Sequence, residues 1–497
     1  MQNKKVAEAD LVVVGAGAAG LYATLVAARS GASVILVSQA QLATTASYWA
    51  QGGIAAALGP DDNPRKHLED TLAAGRRLVR PSAAKVLAND APDVVRDLEQ
   101  LGVEFDRDSH GQLLLGLEGG HSIRRVAHAG GSTTGRRITR ELSARAAEHE
   151  LVTIFEDASA RSLLVDRGKC VGVRITSGKT TRDATGRAVI FATGGAAALW
   201  SRSTNPPAAV GSGLSIAHNA GAALADLEFL QFHPTALESP ARNQGFLITE
   251  AIRGEGAQLI DQDGERFVDE LAPRDEVTVA IERRRSGELG GSPSQVFIDL
   301  RKIDPHAFPN VFAKIAEAGF NPQQQPIPVA PAAHYSMGGI AVDLDGRASL
   351  PGLFAIGECS CTGLHGANRL ASNSLTECLV FGGRAARAGL DDSMPDRAAV
   401  ERAIEQSADA NTPAVDPNPT ATRDLLWRCA GIERNAALLA ELAGSSSSLA
   451  RLIGACAAAR EESRGAHRRS DFPDLNPELD QHHTVIEQNL PAIELWQ

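Results

Sequence analysis

Cysteine and aromatic residues are scarce in this sequence. Six of its 497 residues are cysteines and 4% are aromatic, whereas the 47 glycines suit helices packed closely on a sheet. The cysteines form no C-x-x-C pair, and no Cys/His spacing suits zinc or an iron–sulfur cluster, so we predict no metal site. Free thiols in a chain of this length predict a reducing, cytoplasmic compartment.

Positive charge is also in deficit, because the formal net charge is −11. This balance argues against binding to nucleic acid or an anionic membrane, and it requires a local cationic pocket for any anionic substrate. One uncharged stretch, residues 11–28, imitates a signal peptide or a short membrane span. Gly15, Gly17 and Gly20 interrupt it and an apolar run follows at 33–37, so it predicts a soluble strand–turn–helix–strand with no membrane contact.

A glycine-rich turn lies between the predicted strand 12–14 and the predicted helix 21–29. It fits the pattern G-x-G-x-x-G, in which the first glycine makes the turn, the second admits a pyrophosphate and the third packs helix on strand. Helix N–H groups then face the phosphates. The alternative is an ordinary turn, but both flanking elements favour a dinucleotide site. The predicted binding residues are Gly15, Ala16, Gly17, Ala18, Ala19 and Gly20.

Three distant segments extend this prediction. Residues 44–53, T-T-A-S-Y-W-A-Q-G-G, suit a loop wrapping an aromatic ring system, although a plain glycine-rich loop is the alternative. Thr193-Gly194-Gly195 follows a predicted strand at 188–191 and allows close approach to a cofactor. Glu358 ends another predicted strand, 352–356, where a carboxylate can accept hydrogen bonds from a polyol chain. These segments favour FAD over NAD.

Several longer motifs carry a family resemblance. The chain resembles the flavoproteins of the succinate dehydrogenase, fumarate reductase and L-aspartate oxidase superfamily over essentially its whole length, and most nearly the L-aspartate oxidases. The motifs that carry it are Glu118-Gly119-Gly120-His121-Ser122, Gln231-Phe232-His233-Pro234-Thr235, Thr249-Glu250, Arg253-Gly254-Glu255-Gly256, Leu271-Ala272-Pro273-Arg274-Asp275, His334-Tyr335-Ser336-Met337-Gly338-Gly339 and Gly363-Leu364-His365-Gly366-Ala367-Asn368-Arg369.

The resemblance implies an α/β fold. It would comprise a Rossmann-like FAD-binding domain (1–230 and 334–400), an inserted α+β capping domain (231–333) and a C-terminal helical bundle domain (401–497). Residues 231–333 are richer in charge and proline, as an insertion would be, and 412–419 has the composition of a linker. The further FAD-binding residues implied are Ser38, Gln39, Ala46, Ser47, Tyr48, Trp49, Ala50, Gln51, Gly52, Gly53, Thr193, Gly194, Ser212, Glu358, Ser374 and Leu375.

The implied substrate, L-aspartate, has two carboxylates and one ammonium. The charged, planar guanidinium groups of Arg274 and Arg369 can each donate two hydrogen bonds to a carboxylate, and Glu118 would pair with the ammonium. The other substrate-binding residues implied are Gln231, His233, Thr249 and His334. Taken singly, each residue has an ordinary structural alternative. The arginines could form surface ion pairs, the histidines could be buried in the core with their hydrogen bonds made, and Glu118 could face solvent or cap a helix. Together with the resemblance they favour a site.

The implied reaction oxidises L-aspartate to iminoaspartate, followed by reoxidation with O2, giving H2O2, or with fumarate, giving succinate. It is the first step of NAD biosynthesis through quinolinate, which implies a transient contact with quinolinate synthase; we expect a monomer or weak homodimer. In the fumarate direction Arg274 resembles the family's proton donor, with Glu250 and Arg253 as its relay. Since arginine keeps its proton, Arg274 is better suited to holding a carboxylate than to acting as a base for aspartate.

Two residues separate the alternatives. Dicarboxylate-only relatives lack an acid at Glu118, and quinone-linked relatives, which partner an iron–sulfur subunit, have a flavin-tethering histidine where this chain has Ala46. We therefore expect non-covalent FAD, and a soluble fumarate reductase or succinate dehydrogenase-type flavoprotein is the second hypothesis. A non-catalytic FAD-binding protein is the third, although a scaffold would not need so many charged site residues.

Two positions depart from the family pattern at the cofactor. Gln39 stands where a strand usually ends in a ribose-binding acid, and Ser212 stands where an aspartate contacting FAD is expected. Both exchanges remove a charged hydrogen-bond acceptor. They predict weak retention of FAD.

Overall fold

The computed structural model describes residues 6–42, 45–239, 245–287, 293–408 and 419–497. Its strands are β1 Val6–Glu8, β2 Leu11–Val14, β3 Val34–Val37, β4 Ile54–Ala55, β5 Leu115–Gly116, β6 Val126–Ala127, β7 Val152–Phe155, β8 Ser159–Asp166, β9 Lys169–Ser177, β10 Thr180–Thr185, β11 Ala188–Phe191, β12 Leu224–Ala225, β13 Leu230–Leu237, β14 Gln258–Asp261, β15 Val296–Asp299, β16 Ile327–Ser336, β17 Gly339–Ala341, β18 Leu353–Ala355, β19 Ser360–Cys361, β20 His482–Ile486 and β21 Pro491–Leu495. Its helices are α1 Ala18–Arg29, α2 Pro64–Ala74, α3 Pro81–Gln100, α4 Thr134–Glu148, α5 Ser212–Asn219, α6 Ala251–Gly254, α7 Arg274–Ser286, α8 Pro309–Glu317, α9 Asn373–Leu390, α10 Arg397–Ala408, α11 Pro419–Cys429, α12 Ala436–Glu441 and α13 Ser448–Ala459.

A five-stranded parallel sheet lies at the centre, in the order β18-β11-β2-β3-β7. The apolar run of β2 is buried throughout because it pairs on both edges and is covered on both faces. β2, α1 and β3 form the predicted strand–helix–strand unit, and Gly31 follows α1 with a positive φ of 86°. The predicted α/β fold class is confirmed.

Different layers cover the two faces of this sheet. On one face, Leu11, Val13 and Leu36 pack in one apolar cluster with α1, α3, α4 and α9. On the other face, Val12 and Val14 pack with residues of β8 and β9, which belong to a second sheet ordered β1-β10-β9-β8. The carboxyl ends of the central strands are therefore free to carry the turns that the sequence predicts to bind a cofactor.

The segment predicted as a capping domain has its own sheet and core. The sheet is antiparallel, in the order β13-β16-β15-β14, and its core is an apolar cluster from Leu237 to Val329 that includes residues of α7 and α8. β13 begins one residue before the predicted boundary at 231, and β16 ends three residues after the predicted boundary at 333. The four-part domain division stays a prediction.

The C-terminal segment is helical from α11 to α13, as the sequence predicts, but it does not end there. β20 and β21 form an antiparallel hairpin whose first strand joins β12, completing a sheet ordered β19-β17-β12-β20-β21. Sequence analysis missed this hairpin because β20 begins with two histidines rather than an apolar alternation. The predicted linker 412–419 lies outside the described residues except for Pro419, which begins α11. Within the described ranges every helix is too short or too polar to cross a membrane.

Candidate functional site

The glycine-rich turn forms a tight cradle at the N-terminus of α1. Gly15 has a φ of +113°, and a Cβ there would lie 2.1 Å from the carbonyl oxygen of Ala192. A Cβ on Gly20 would lie 1.8 Å from the carbonyl oxygen of Gly15, so both positions require glycine. The helix begins after Gly17 without a side-chain cap, and the Ala18 N–H donates to Ser47 Oγ at 3.2 Å. A helix N-terminus that follows a tight glycine turn suits a pyrophosphate.

The second predicted cofactor segment lies beside this cradle. Residues Ala46–Trp49 form a single 3-10 turn that packs against the start of α4, where a Cβ on Gly135 would lie 2.0 Å from the Ser47 carbonyl. Thr45 Oγ1 and Gln51 Oε1 are buried and have no hydrogen-bond partner among the described residues. Buried polar atoms are normally paired, so these two oxygens fit a bound group that supplies donors, as FAD does. Thr44 lies outside the described residues.

The remaining predicted cofactor residues lie at the ends of the central strands. Gly194 has a φ of +75° and open space where a Cβ would point. Glu358 accepts a 3.0 Å hydrogen bond from the Ser336 N–H, and a Cβ on Gly195 would lie 2.2 Å from its carboxylate. Burial raises the pKa of Glu358 to about 7. This carboxyl is thus positioned to accept bonds from a bound polyol.

Four predicted cofactor residues have weaker structural support. Gln39 is exposed, and Trp49 is 57% exposed. The hydroxyl of Ser38 donates to the Ala40 carbonyl at 2.6 Å, so it already has an acceptor. Ser212 begins α5 directly after Gly211, which has a left-handed backbone. The FAD-binding roles of these residues stay predictions.

A cationic cluster lies where the predicted capping segment meets the FAD-binding part. Gln231, on β13, joins its two arginines: Oε1 accepts from Arg274 Nη1 at 3.0 Å and from Arg369 Nε at 3.2 Å. Its amide nitrogen donates to Asn368 Oδ1 and to the Arg369 carbonyl, both at 3.0 Å. Sequence positions 231, 274 and 369 thus meet at one amide. The arrangement offers two guanidinium groups to a ligand with two carboxylates.

Glu250 and Arg253 extend this cluster away from Gln231. Arg274 Nε donates to Glu250 Oε2 at 2.5 Å, and Arg253 Nη2 lies 3.7 Å from the same oxygen. Although burial favours the protonated acid, the charges of Arg274 and Arg253 lower the pKa of Glu250 to about 2. Arg253 is itself buried, and its Nε and Nη2 have no hydrogen-bond partner among the described residues. The three groups form a continuous charged row, and Thr249 is buried immediately before it in the chain.

Two histidines lie together beside the arginines. The rings of His233 and His334 are 5.3 Å apart and inclined at 70°. His233 Nδ1 accepts from the Thr235 N–H, which leaves the proton on Nε2, a buried atom with no partner within the described ranges. His334 lies between Thr204 Oγ1, 2.8 Å from Nδ1, and Arg369 Nη2, 3.4 Å from Nε2. Burial, and then the nearby arginines, hold the pKa of each histidine well below its ordinary value, so both are neutral.

Glu118 reaches the cluster from a separate loop. A Cβ on Gly119 would lie 2.0 Å from Glu250 Oε1, so this loop packs directly against the charged row. The Glu118 carboxylate accepts a 2.6 Å hydrogen bond from Ser372 Oγ, and its other oxygen lies 4.0 Å from His128 Nε2. The site therefore holds one carboxylate that is not paired with an arginine. Such a group is suited to a ligand ammonium.

Ser372 is a site residue that sequence analysis missed. Its φ is +60°, unusual for a residue with a side chain, and its Oγ also accepts from the Gly53 N–H at 3.1 Å. It therefore links Glu118 to the predicted cofactor segment. Serine carries no sequence signal for this backbone conformation; its place between Arg369 and Ser374 was the one available indication.

Comparisons with known proteins identify the family of this chain. Residues 10–375 match the family model for the FAD binding domain, and residues 436–495 match that for the fumarate reductase flavoprotein C-terminus. The L-aspartate oxidase of Synechocystis sp. is 41% identical, over 96% of this chain and 97% of that protein. The L-aspartate oxidase of Caulobacter vibrioides is 44% identical, over 94% of each.

Solved structures show the same fold. E. coli quinol fumarate reductase FrdA superimposes with a TM-score of 0.89 at 28% identity, covering 99% of this chain and 96% of that one. Mycobacterium smegmatis Sdh1 gives 0.85 at 30% identity, covering 99% and 95%. The chain therefore belongs to the L-aspartate oxidase family, within the superfamily of succinate dehydrogenase and fumarate reductase flavoproteins.

Proposed function

We propose that this protein oxidises L-aspartate to iminoaspartate with non-covalent FAD, and that O2 or fumarate takes up the electrons, giving H2O2 or succinate. The observation that carries this proposal is the pair Arg274 and Arg369 on one amide, Gln231, beside the buried carboxylate of Glu118. The glycine-rich turn, residues 45–53 and Glu358 would hold FAD, which would supply two-electron hydride chemistry between the substrate carbon and the acceptor.

Charge supports aspartate as the substrate. When ionised, Arg253, Arg274 and Arg369 contribute three positive charges, and Glu118 and Glu250 contribute two negative ones, which leaves a net charge of +1. L-aspartate brings a net charge of −1 and would neutralise the site. Succinate and fumarate, each with −2, would leave one uncompensated negative charge in a buried site, so they are expected to bind, as the fumarate reaction requires, but more weakly than aspartate.

In the proposed binding mode, Arg369 and His334 hold one carboxylate, Arg274 and His233 hold the other, and Glu118 receives the ammonium. His233 contributes the donor Nε2–H, the buried atom that otherwise has no partner among the described residues. Arginine forks fix carboxylates in two directions at once, so the Cα–H is held in one orientation toward the cofactor. This fixed orientation is the main contribution that these side chains make to the rate.

Arg274 has different roles in the two directions. During aspartate oxidation it keeps its proton, as arginine side chains do, and it holds a carboxylate while charge develops. During fumarate reduction it donates a proton to the substrate carbon. Glu250, 2.5 Å from Arg274 Nε, then passes a proton back from Arg253. Burial of Glu250 and Arg253 keeps bulk water from this row.

A soluble fumarate reductase or succinate dehydrogenase-type flavoprotein is the second candidate. The high structural similarity to FrdA and Sdh1 favours it, as does a cationic cluster that any dicarboxylate would suit. Glu118 opposes it, because a buried carboxylate repels a ligand that lacks an ammonium. Ala46 opposes covalent flavin attachment, since a methyl group cannot form the bond.

One experiment distinguishes these candidates. FAD-loaded protein is mixed anaerobically with L-aspartate or with succinate, and bleaching of the flavin absorption band is followed. Bleaching by aspartate but not succinate is expected; bleaching by succinate alone would establish the second candidate. Bleaching by neither would indicate a non-catalytic FAD-binding protein. The Arg369→Ala variant, with FAD content checked, is expected to abolish the aspartate response without loss of cofactor.

We further propose a setting for this activity. We place the oxidation of L-aspartate as the first step of NAD biosynthesis. Its product, iminoaspartate, hydrolyses readily, which favours direct transfer to a transient partner, quinolinate synthase. All six cysteines are free, which supports a cytoplasmic location. We propose a monomer or weak homodimer. Light scattering across a range of protein concentrations tests the oligomeric state. The transfer is tested by mixing the two enzymes with an excess of a reagent that traps free imine and measuring the yield of quinolinate.

A further inference from the structure

We propose that Tyr335 is a positioning residue, whose ring supports the face of the Arg369 guanidinium and is itself held in place by Glu377. This inference rests on the proposed function, because Arg369 is the group proposed to bind a substrate carboxylate. The Cζ atom of Arg369 lies 4.8 Å from the centre of the Tyr335 ring and over its face. That geometry is a cation–π contact.

The edges of the same guanidinium are partly occupied. Nε donates to Gln231 Oε1, Nη1 donates to Ser374 Oγ at 2.9 Å, and Nη2 lies 3.4 Å from His334 Nε2. Arginine has five N–H groups, so at least one remains on each Nη. Two such groups are what a two-pronged carboxylate contact needs. The ring supports the face while these bonds orient the plane.

A buried carboxylate fixes the ring. The Tyr335 hydroxyl donates to Glu377 Oε2 at 3.0 Å, and His365 Nε2 lies 2.8 Å from the same oxygen. Thr362 Oγ1 donates to Glu377 Oε1 at 3.0 Å. The Tyr335 and His365 rings are perpendicular, with centres 5.3 Å apart. All four residues are buried, so the ring has little freedom to turn.

One helix organises both sides of Arg369. Ser374 and Glu377 are three residues apart in the first turns of α9, so they lie on neighbouring positions of its surface. Ser374 contacts the edge of the guanidinium, and Glu377 contacts the residue beneath its face. A shift of α9 would therefore move both supports together, whereas substitution of Tyr335 removes one alone.

The contact matters because Arg369 is buried next to another arginine. Burial and the charge of Arg274 lower the pKa of Arg369 to about 10. The electron-rich ring face favours the charged guanidinium, so loss of the ring lowers that pKa further. Burial keeps the pKa of Tyr335 well above its ordinary value, so the ring stays neutral. The titratable or charged groups that interact with Arg369 are Arg274, Glu118, Glu250, His233, His334, Tyr335 and Glu358.

The test measures succinate binding to FAD-loaded protein by calorimetry from pH 7 to 9.5. Succinate is a constant dianion in this range and has no ammonium to titrate. The Tyr335→Met variant fills the space without a ring. We expect about tenfold weaker binding, which corresponds to about 1.4 kcal/mol, and loss of affinity beginning about one pH unit lower than in the wild type. The matched control, Tyr335→Phe, keeps the ring and is expected to bind within about threefold of wild type with the wild-type pH profile.

The outcomes separate this inference from the proposed function. If wild-type protein binds neither succinate nor aspartate, the proposed function fails, and the inference with it. If the wild type binds and Tyr335→Met has the same affinity and pH profile, the inference alone is overturned. Should Tyr335→Met fail to fold, Glu377→Gln, which keeps the ring and loosens its support, takes its place: about threefold weaker binding is expected, and unchanged binding overturns the inference.

Discussion

The hydroxyl of Ser372 donates a 2.6 Å hydrogen bond to the Glu118 carboxylate. The same oxygen accepts from the Gly53 N–H, so one serine joins the proposed ammonium-binding acid to the predicted cofactor segment. Its left-handed backbone, with a φ of +60°, aims the side chain between these two partners. The identity of the substrate and the position of the cofactor are thus connected through a single side chain.

Glu118→Gln tests the role of the acid. Loss of a charged hydrogen bond to the ammonium, worth about 1.5–3 kcal/mol, is expected to raise the KM for L-aspartate by about 10- to 100-fold. Fumarate has no ammonium, and loss of the negative charge that opposes a dianion is expected to leave fumarate reduction unchanged or faster. Steady-state kinetics of both reactions measure the difference. Glu104→Gln, the same exchange at an exposed carboxylate, is the control, and an equal effect on both substrates would contradict the assignment.

Ser372→Ala tests the connection between the two parts of the site. Alanine removes both hydrogen bonds while keeping Cβ in the same backbone. We expect the KM for L-aspartate to rise by about three- to tenfold, since the bond accepted by a carboxylate contributes about 1 kcal/mol or more. FAD affinity, measured by fluorescence titration of apoprotein, is expected to fall because Gly53 loses its acceptor. An unchanged KM would mean that Glu118 needs no such support.

Arg274→Lys separates charge from geometry. Lysine keeps the positive charge but cannot bond Glu250 and Gln231 simultaneously through a planar fork. Fumarate reduction is expected to fall by about 100-fold or more, equivalent to about 2.7 kcal/mol, and aspartate affinity to weaken. Arg283→Lys, on the same helix with a half-exposed side chain, is the control. Retained fumarate reduction with unchanged aspartate affinity would contradict both proposed roles.

Local sequence was sufficient to predict those elements whose residue types favour one conformation by themselves. The run at 12–14 predicts a buried strand, and Gly15 and Gly20 predict a tight turn with close helix–strand packing, which the structure shows in their close approach to Ala192 and Gly15. The two arginines of the site were predictable only through the family motifs. Residues 231, 274 and 369 are far apart in the sequence and come together only in the folded chain.

Other features depend on tertiary contacts that sequence does not express. The conformation of Ser372 is one that serine rarely adopts, so only its surroundings specify it. The support of Arg369 by Tyr335 depends on Glu377, 42 residues further along the chain. In each case a long-range contact, and not local propensity, decides the outcome.

Glu358 predicts a pH dependence of cofactor binding. Burial raises its pKa to about 7, above its unfolded value, so the folded apoprotein favours the neutral acid. The ionised form is the better acceptor for polyol hydroxyls, so FAD affinity is expected to increase as pH rises from 6 to 8, by about five- to tenfold. Fluorescence titration of apoprotein measures it. Glu358→Gln should remove the pH dependence, and persistence of the slope in that variant would assign it elsewhere.

Gln39→Glu tests the weak retention of FAD predicted from the sequence. Gln39 is exposed at the end of β3, so the exchange should not disturb the core. A carboxylate there can accept hydrogen bonds from ribose hydroxyls, and a charged bond of about 1.5 kcal/mol is expected to tighten FAD binding by about tenfold. The FAD content after purification and the dissociation constant both measure it. Gln41→Glu, two residues further on, adds the same charge and controls for electrostatics alone. If both variants retain FAD equally, residue 39 makes no direct contact with the ribose, and other groups hold the cofactor.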